Sequence, residues 1–150
     1  MKTEISAPAR KAWMSLLAQA DEADLSRLWQ AFDHNPDFNW LRPPEAGGVM
    51  VRGRMGGSGA PFNLGEMTVT RCALTLADGT VGHAYVQGRS KPKAEIAAKV
   101  DALMQTEAAQ DLCQAVLEPL QLAQQSRKEA RAAKAAATKV EFFTMVRGED

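Results

Sequence analysis

A glycine-rich loop between two strand-forming segments most restricts how this chain folds. The loop contains three glycines and one proline: Gly56, Gly57, Gly59 and Pro61. Glycine is used where the backbone takes a positive φ angle or comes close to another group, and an ordinary hairpin does not need so many. Arg52, Arg54 and Arg71 flank the loop. The stretch therefore predicts contact with an anion or with a carboxylate of a partner protein.

Length and charge limit the possible function classes. The chain has 150 residues, which indicates one domain with a modest core. Its 18 basic and 18 acidic residues give zero net charge, whereas a nucleic-acid-binding domain is normally basic. No signal peptide and no membrane-spanning apolar run is visible, so we expect a cytoplasmic protein. Cys72 and Cys113 are expected to be reduced, buried thiols rather than a metal site.

Two helices are predicted before the sheet. The first covers about residues 8–20, with apolar residues recurring every three or four positions. Asp21 is a predicted N-cap for the second, which ends at Asn35-Pro36. Trp13 and Trp29 lie on the apolar faces of these helices, and we interpret both as core or interface anchors.

The middle of the chain predicts a small antiparallel sheet of about four strands, so the fold class is α+β. Pro43-Pro44 ends the first strand, and Asp78-Gly79 is a hairpin signal between the last two. The strands are expected at residues 38–41, 49–55, 66–76 and 81–87.

A two-residue turn at Asp78-Gly79 would place Leu74 opposite His83 and Cys72 opposite Tyr85. Neither face of the sheet is plainly polar in that register, although a small antiparallel sheet usually leaves one face to water. We therefore predict that one face packs on the chain's own helices and that another chain covers the other face.

Helices are predicted again after the sheet. Gly88 ends the last strand, and Ser90 is a candidate N-cap for a helix that begins near Pro92. A further helix begins near Ala108, and Pro119 is expected to end or kink it.

The C-terminal part is predicted to be an extended arm, so we divide the chain into a domain at 1–125 and an arm at 126–150. Residues 126–139 are alanine-rich and basic, which indicates a solvated helix or a segment lying on another protein. The tail then carries an aromatic, apolar hook that would be costly to leave in water: Phe142, Phe143, Met145 and Val146, followed by Arg147. The sequence leaves open whether the hook packs on the chain's own core or on a partner.

No group of residues predicts a self-sufficient active site. His83 has no nucleophile or carboxylate as a predicted neighbour, and Ser58 lacks the strand–turn–helix setting of a nucleophile elbow. No Lys-Ser/Thr pair follows the loop, so it is not a Walker loop. Two interpretations of its backbone stay open: a nest for a phosphate, or a slot for the backbone of a partner. Arg89 precedes a predicted helix start, which also favours anions. The candidate anion- or partner-binding residues are Arg54, Gly56, Gly57, Gly59, Arg71, Gln87, Gly88 and Arg89.

Four blocks of sequence carry a resemblance to a known family. They are residues 54–62 (RMGGSGAPF), 65–71 (GEMTVTR), 82–89 (GHAYVQGR) and 142–148 (FFTMVRG). Together and in this order they resemble the G subunit of the bacterial carbon–phosphorus lyase core complex. The likeness extends over nearly the whole chain and is least distinctive in the N-terminal region.

The resemblance implies a role in phosphonate catabolism. The family assembles with subunits H, I and J, chiefly I. It supports a transferase step in which an alkylphosphonate displaces adenine from ribose C1 of ATP. Catalytic residues are implied on the I subunit, and radical carbon–phosphorus cleavage on the J subunit. For this chain the resemblance implies no catalytic residue, no metal and no cofactor of its own, with ATP and alkylphosphonate as substrates of the complex.

The same resemblance suggests docking on the I subunit through the glycine-rich loop and the C-terminal hook. Arg54, Arg71 and Arg89 would form salt bridges with that subunit or line a path for a phosphate-bearing substrate. On the residues alone, a stand-alone phosphate- or nucleotide-binding enzyme stays open as an alternative. A nucleic-acid module is opposed by the zero net charge and the single tyrosine.

Overall fold

The computed structural model describes residues 7–139 and confirms the α+β class. Helices precede and follow an antiparallel sheet whose strand order is β1-β2-β3. The elements are α1 (Ala7–Ala18), α2 (Glu22–Phe32), β1 (Phe38–Arg54), β2 (Pro61–Leu76), β3 (Val81–Gln87), α3 (Lys91–Leu103), α4 (Ala109–Leu112), a π-helical segment (Cys113–Leu117) and α5 (Glu118–Ala137). The helices cover one face of the sheet, and the core lies between the two layers.

The N-terminal helices form as predicted. The Asp21 side chain caps α2 by accepting a hydrogen bond from Asp24 N over 3.1 Å. Asp33 ends the helix in the left-handed conformation, before Pro36. Trp13 and Trp29 are both buried in the core, which confirms their role as anchors.

The sheet has three strands within residues 7–139, not about four. The predicted first and second strands are one continuous strand, β1, which pairs with β2 along its length. Pro43 and Pro44 fall where the pairing register shifts between Arg42 and Glu45. Proline is tolerated at a bulge in an edge strand because no neighbouring strand needs its missing N–H group there.

The predicted register of the β2–β3 hairpin was wrong by one residue. The connection is a three-residue loop in which Leu76 N donates to Thr80 O over 2.8 Å and Gly79 has a φ angle of 86°. Leu74 therefore pairs with Gly82 instead of His83, and every side chain of β3 changes face.

The corrected register separates a buried face from a polar outer face. Cys72 pairs with Ala84, and both lie in the core. His83 and Tyr85 are exposed on the outer face, opposite the helices. The prediction of two apolar faces was therefore wrong over the three-stranded part of the sheet.

Helix α3 packs directly on β3. Ser90 caps it as predicted, with Oγ accepting a hydrogen bond from Lys93 N over 3.1 Å. Four small residues of α3 are buried: Ala94, Ala97, Ala98 and Ala102. Across from them, Gly82 has no side chain, and a Cβ atom there would lie 2.1 Å from Ala98 O.

Pro119 does not end the last helix. The π-helical segment Cys113–Leu117 comes directly before it, and α5 then continues to Ala137. Proline lacks an N–H group and crowds the carbonyl four residues earlier, and the wider π turn accommodates this misfit. Residues 126–137 form the exposed second half of α5.

Candidate interaction surface

The glycine-rich loop is the tip of a two-stranded ribbon. Gly56 and Gly57 have φ angles of 62° and 78°, which residues with a Cβ atom rarely adopt. Gly59 N donates to Met55 O over 3.0 Å, and a Cβ atom on Gly59 would lie 2.9 Å from that oxygen. Turn geometry therefore accounts for these three glycines. Arg54 is exposed at the base of the turn, with Nη1 3.4 Å from Gly59 O.

Residues 49–67, which we name the ribbon, extend beyond the rest of the sheet. Strand β3 pairs with β2 from Val69 to Thr75, and Gly88 N donates to Thr68 O. Among the described residues, no third strand pairs with the part of β2 that precedes Thr68. An isolated two-stranded hairpin is marginally stable in water, so contact with another protein would stabilise the ribbon.

One face of the ribbon is apolar. Paired residues of an antiparallel sheet lie on the same side, and the pairs Val49–Met67 and Gly53–Phe62 place these residues on one face. A Cβ atom on Gly53 would lie 3.7 Å from Leu64 Cβ, so Leu64 joins them. We name this set the apolar strip: Val49, Val51, Phe62, Leu64 and Met67. Phe62 is 43% exposed and Leu64 is 66% exposed.

The other face of the ribbon is polar, except for Met50. Arg52 and Arg54 alternate with the valines of β1 and so lie opposite the apolar strip. Glu66 lies over Gly48 on the same polar side. Met50 pairs with Glu66 and is 57% exposed, and Met55 at the tip is 79% exposed. Large apolar side chains are thus exposed on both sides and at the end of the ribbon.

Arg71, a predicted anion-binding residue, forms an ion pair within the chain. Its Nη2 is 2.6 Å and its Nε is 2.8 Å from Glu45 Oε1. The Arg71 guanidinium holds the pKa of the Glu45 carboxyl below its ordinary value by this hydrogen bond. Both side chains are about half exposed on the outer face of the sheet, so water screens the pair.

The second group of predicted residues lies at the start of α3. Gly88 has a φ angle of 91° and its carbonyl oxygen accepts a hydrogen bond from Thr70 Oγ1 over 2.7 Å. Gln87, Gly88 and Arg89 line an open depression with the first turn of the helix. Lys93, also in that turn, points its ammonium group inward toward Ala18 O, 3.2 Å away. Burial lowers the pKa of Lys93.

The predicted residues do not all meet in one site. Along β2, Arg71 is ten residues from Pro61, which corresponds to about 33 Å of extended strand. The ribbon tip with Arg54 is therefore a separate place from Arg71 in the sheet. The hook residues (Phe142, Phe143, Met145, Val146 and Arg147) lie outside the described residues.

A cleft that the sequence did not predict lies between α1 and α5. It has a volume of about 1060 Å³. Trp13 and Leu16 line it on one side, and Arg127 and Arg131 on the other. Arg127 donates to Asp24 Oδ2 over 2.5 Å, which ties α5 to α2. No spacing pattern in the sequence links residues this far apart, so only the fold reveals the cleft.

The most buried charged group is Asp101 in α3, which the sequence analysis also missed. Its carboxylate accepts hydrogen bonds from Arg10 Nη2 at 2.7 Å, Trp13 Nε1 at 2.9 Å and His83 N at 2.8 Å. Arg10 Nε adds a fourth at 3.1 Å, which fills the lone pairs of both oxygens. Asp101 is therefore a structural group rather than an available general base.

Cys72 is also unsuited to nucleophilic chemistry. It is buried, and its Sγ lies 3.3 Å from Ala94 O. Burial, with a smaller contribution from Glu95, raises its pKa to about 12. Only the thiolate is nucleophilic, so this thiol is unreactive at neutral pH.

Two features are absent from residues 7–139. No three His, Cys, Asp or Glu side chains are grouped so that they could hold a metal ion. No helix in this part of the chain has the length and hydropathy needed to cross a bilayer.

A family model and a curated relative agree on what this chain resembles. Residues 8–148 match the family model described as "Phosphonate metabolism protein PhnG". A curated relative from Rhizobium meliloti (strain 1021) is 45% identical over 141 residues, which cover 94% of this chain and 90% of the relative. That relative is named "Alpha-D-ribose 1-methylphosphonate 5-triphosphate synthase subunit PhnG".

Proposed function

The chain belongs to the PhnG family of phosphonate metabolism proteins, and on that premise we propose that it is a subunit of a ribose 1-methylphosphonate 5-triphosphate synthase. The synthase step that we propose joins an alkylphosphonate oxygen to ribose C1 of ATP. The bond between C1 and adenine breaks, and adenine leaves. The triphosphate stays on the ribose throughout, so ATP is a substrate of the complex.

We assign this chain a supporting role in that step, with the reacting groups on a neighbouring subunit, chiefly the I subunit. The ribbon is the observation that carries this proposal. It exposes Phe62, Leu64 and Met55, which a protein that works alone has no reason to present together. The buried ionisable groups support the same division, since Asp101 has its acceptors filled.

Three arginines and the C-terminal hook are the proposed contacts with partners. Arg54 at the tip of the ribbon and Arg89 at the start of α3 are exposed and suit carboxylates of another subunit or a phosphate-bearing substrate. On assembly, Arg71 would either keep its ion pair with Glu45 or replace Glu45 with an acidic group of a partner or substrate. We propose that the hook at residues 140–150 docks on the I subunit, and that subunits H and J complete the complex.

Co-purification tests the proposal. The full-length chain is expected to co-purify with the I subunit, and a variant that ends at Lys139 is expected to lose that association. The hook is not a docking segment if the truncated variant co-purifies at the full-length yield. Calorimetry on the isolated chain checks the alternative, because clear binding of ATP or methylphosphonate without partners would favour a stand-alone enzyme.

A further inference from the structure

We propose that the ribbon inserts into an apolar groove of a partner protein, and that carboxylates on the rim of the groove meet Arg52 and Arg54. The inference rests on the proposed function, which supplies the I subunit as the first partner to test. It adds the surface that is used and the chemistry of the site that receives it.

The apolar strip is the reason why the groove of the partner must be apolar. Leu64 is an extra residue between the pairs Val51–Gly65 and Arg52–Asn63, and this bulge brings it beside Phe62 over Gly53. The absence of a side chain at Gly53 gives the two larger side chains room on that face. The result is a continuous apolar surface next to a strand edge, which suits insertion between elements of another protein.

Charge complements the apolar surface. Residues 51–65 contain Arg52 and Arg54 but no aspartate or glutamate, so this end of the ribbon is cationic. Both arginines are exposed. A groove that covers the ribbon must therefore offer acceptors to two guanidinium groups, and carboxylates bind guanidinium most strongly.

A second copy of this chain fits the ribbon less well than a different protein. Two copies stacked through the apolar strip would leave Met50 exposed, because its side chain lies on the opposite face. A groove that surrounds the ribbon covers both faces and the tip. The ribbon of a second copy would also bring two more arginines against a single carboxylate, Glu66.

A lipid bilayer fits less well than a protein for a different reason. In the ribbon, β1 and β2 pair with each other, and each has an outer edge with no neighbour among the described residues. Backbone N–H and C=O groups on an open edge cannot be satisfied in hydrocarbon. A protein groove can supply hydrogen-bond partners along one edge, as in strand addition.

A matched pair of substitutions tests the surface in the full-length chain. Leu64 and Leu122 are 66% and 71% exposed, but Leu122 lies on α5, away from the ribbon. Leu64→Ser is expected to raise the Kd for the I subunit at least tenfold, as is usual for a contact at an interface centre. Leu122→Ser is expected to leave the Kd within twofold of the wild-type value.

Two further measurements make the test independent of one variant. Hydrogen–deuterium exchange at backbone amides of residues 49–65 is expected to slow at least tenfold on assembly of the wild-type chain. Replacing both Arg52 and Arg54 with glutamine is expected to weaken the salt dependence of association. Lys11→Gln removes one charge from an exposed lysine on α1, outside the ribbon. This control is expected to leave that salt dependence unchanged.

Several outcomes would overturn the inference. The ribbon is not the docking surface if the Leu64→Ser variant binds within twofold of wild type, or if amide exchange in the ribbon is unchanged in an assembled complex. Membership of the synthase complex, which rests on the family match, would still stand. A wild-type chain that binds none of the subunits would contradict both the docking surface and membership of the complex. A homodimer that Leu64→Ser dissociates identifies a second copy instead. Leu64-dependent sedimentation with phosphatidylcholine–phosphatidylserine vesicles identifies a membrane.

Discussion

Trp13 donates its indole N–H to the buried carboxylate of Asp101 over 2.9 Å, which joins α1 to α3. The same carboxylate accepts a hydrogen bond from the backbone N–H of His83 in β3. One side chain thus connects α1 with β3 and α3, although α1 is far from both in the sequence. Arg10 provides the balancing charge, and its pKa is raised by the hydrogen bond to Asp101. The buried Asp101 carboxylate therefore helps to hold β3, whose His83 side chain lies on the outer face of the sheet.

Removal of the Asp101 carboxylate should destabilise the fold strongly. Asp101→Ala leaves the buried Trp13 N–H and the His83 N–H without acceptors, and we expect the free energy of unfolding to fall by about 3–5 kcal/mol. Urea denaturation followed by tryptophan fluorescence measures this change. Asp111→Ala, at an exposed position on α4, is the control and should stay within about 0.5 kcal/mol of wild type. A loss below about 1 kcal/mol for Asp101→Ala would contradict a structural role.

Local signals in the sequence were enough to predict most element boundaries. Asp21 and Ser90 have the side chains that cap helices, and both do so. The hairpin register was missed because an Asp-Gly pair also fits a three-residue loop with glycine in the left-handed region. Gly82 carried a signal that would have corrected it, since glycine inside a strand often marks close backbone approach, here to α3.

Gly82 should be the position in β3 that least tolerates a side chain. Gly82→Ala would place Cβ 2.1 Å from Ala98 O and 2.8 Å from Ala102 Cβ, so α3 must move away from the sheet. We expect a loss of at least about 3 kcal/mol in the free energy of unfolding. Gly47→Ala is the matched control, because a Cβ atom there has no neighbour within 4 Å, and it should change stability by less than about 0.5 kcal/mol. Equal unfolding midpoints in urea for the two variants would show that α3 does not pack this closely.

Gly79 should matter for the conformation of the hairpin rather than for packing. Its φ angle is 86°, and a Cβ atom there meets nothing within 4 Å. Gly79→Ala is therefore expected to cost about 1–2 kcal/mol from backbone strain alone. Gly79→Asn should cost less, because asparagine tolerates the left-handed region better. Thermal unfolding measures both, and an alanine variant as stable as wild type would refute the three-residue loop.

The candidate surface was only partly predictable from the sequence. Gly56 and Gly57 have the positive φ angles that a glycine-rich loop indicates, and a binding role for Arg54 stays a prediction. The contrast between the two faces of the ribbon depends on the Leu64 bulge. A bulge shifts the alternation of all later side chains, and nothing in a strand-forming segment marks it beforehand. The Asp101 cluster was equally hidden, since Arg10 and Asp101 are 91 residues apart in the chain.

Cys72 should make folding stability depend on pH in the alkaline range. Its pKa is raised from an ordinary value of 9.0 to about 12 in the folded chain, so the unfolded chain loses this proton first. The stabilising contribution is fully present below about pH 9 and is lost progressively up to about pH 12, by at most about 1.4 kcal/mol per pH unit. Urea unfolding of wild type and Cys72→Ala at pH 7.5, 9 and 10.5 measures the difference in slope. Parallel pH dependences for the two proteins would show that this thiol is not responsible.

Thiol labelling tests the burial of Cys72 directly, and Cys113 provides the comparison. Cys72 is 3% exposed, whereas Cys113 is half-buried and lines the cleft between α1 and α5. At pH 8 a pKa of about 12 leaves only about one Cys72 in 10⁴ as thiolate, so the Cys113→Ala variant should react with Ellman's reagent at least a hundredfold more slowly than Cys72→Ala. Because the reagent must also reach the sulfur, addition of urea above the unfolding midpoint should remove the difference. Rapid labelling of Cys72 in the folded Cys113→Ala variant would mean that α3 opens readily from the sheet, and the close approach at Gly82 would then be wrong as well.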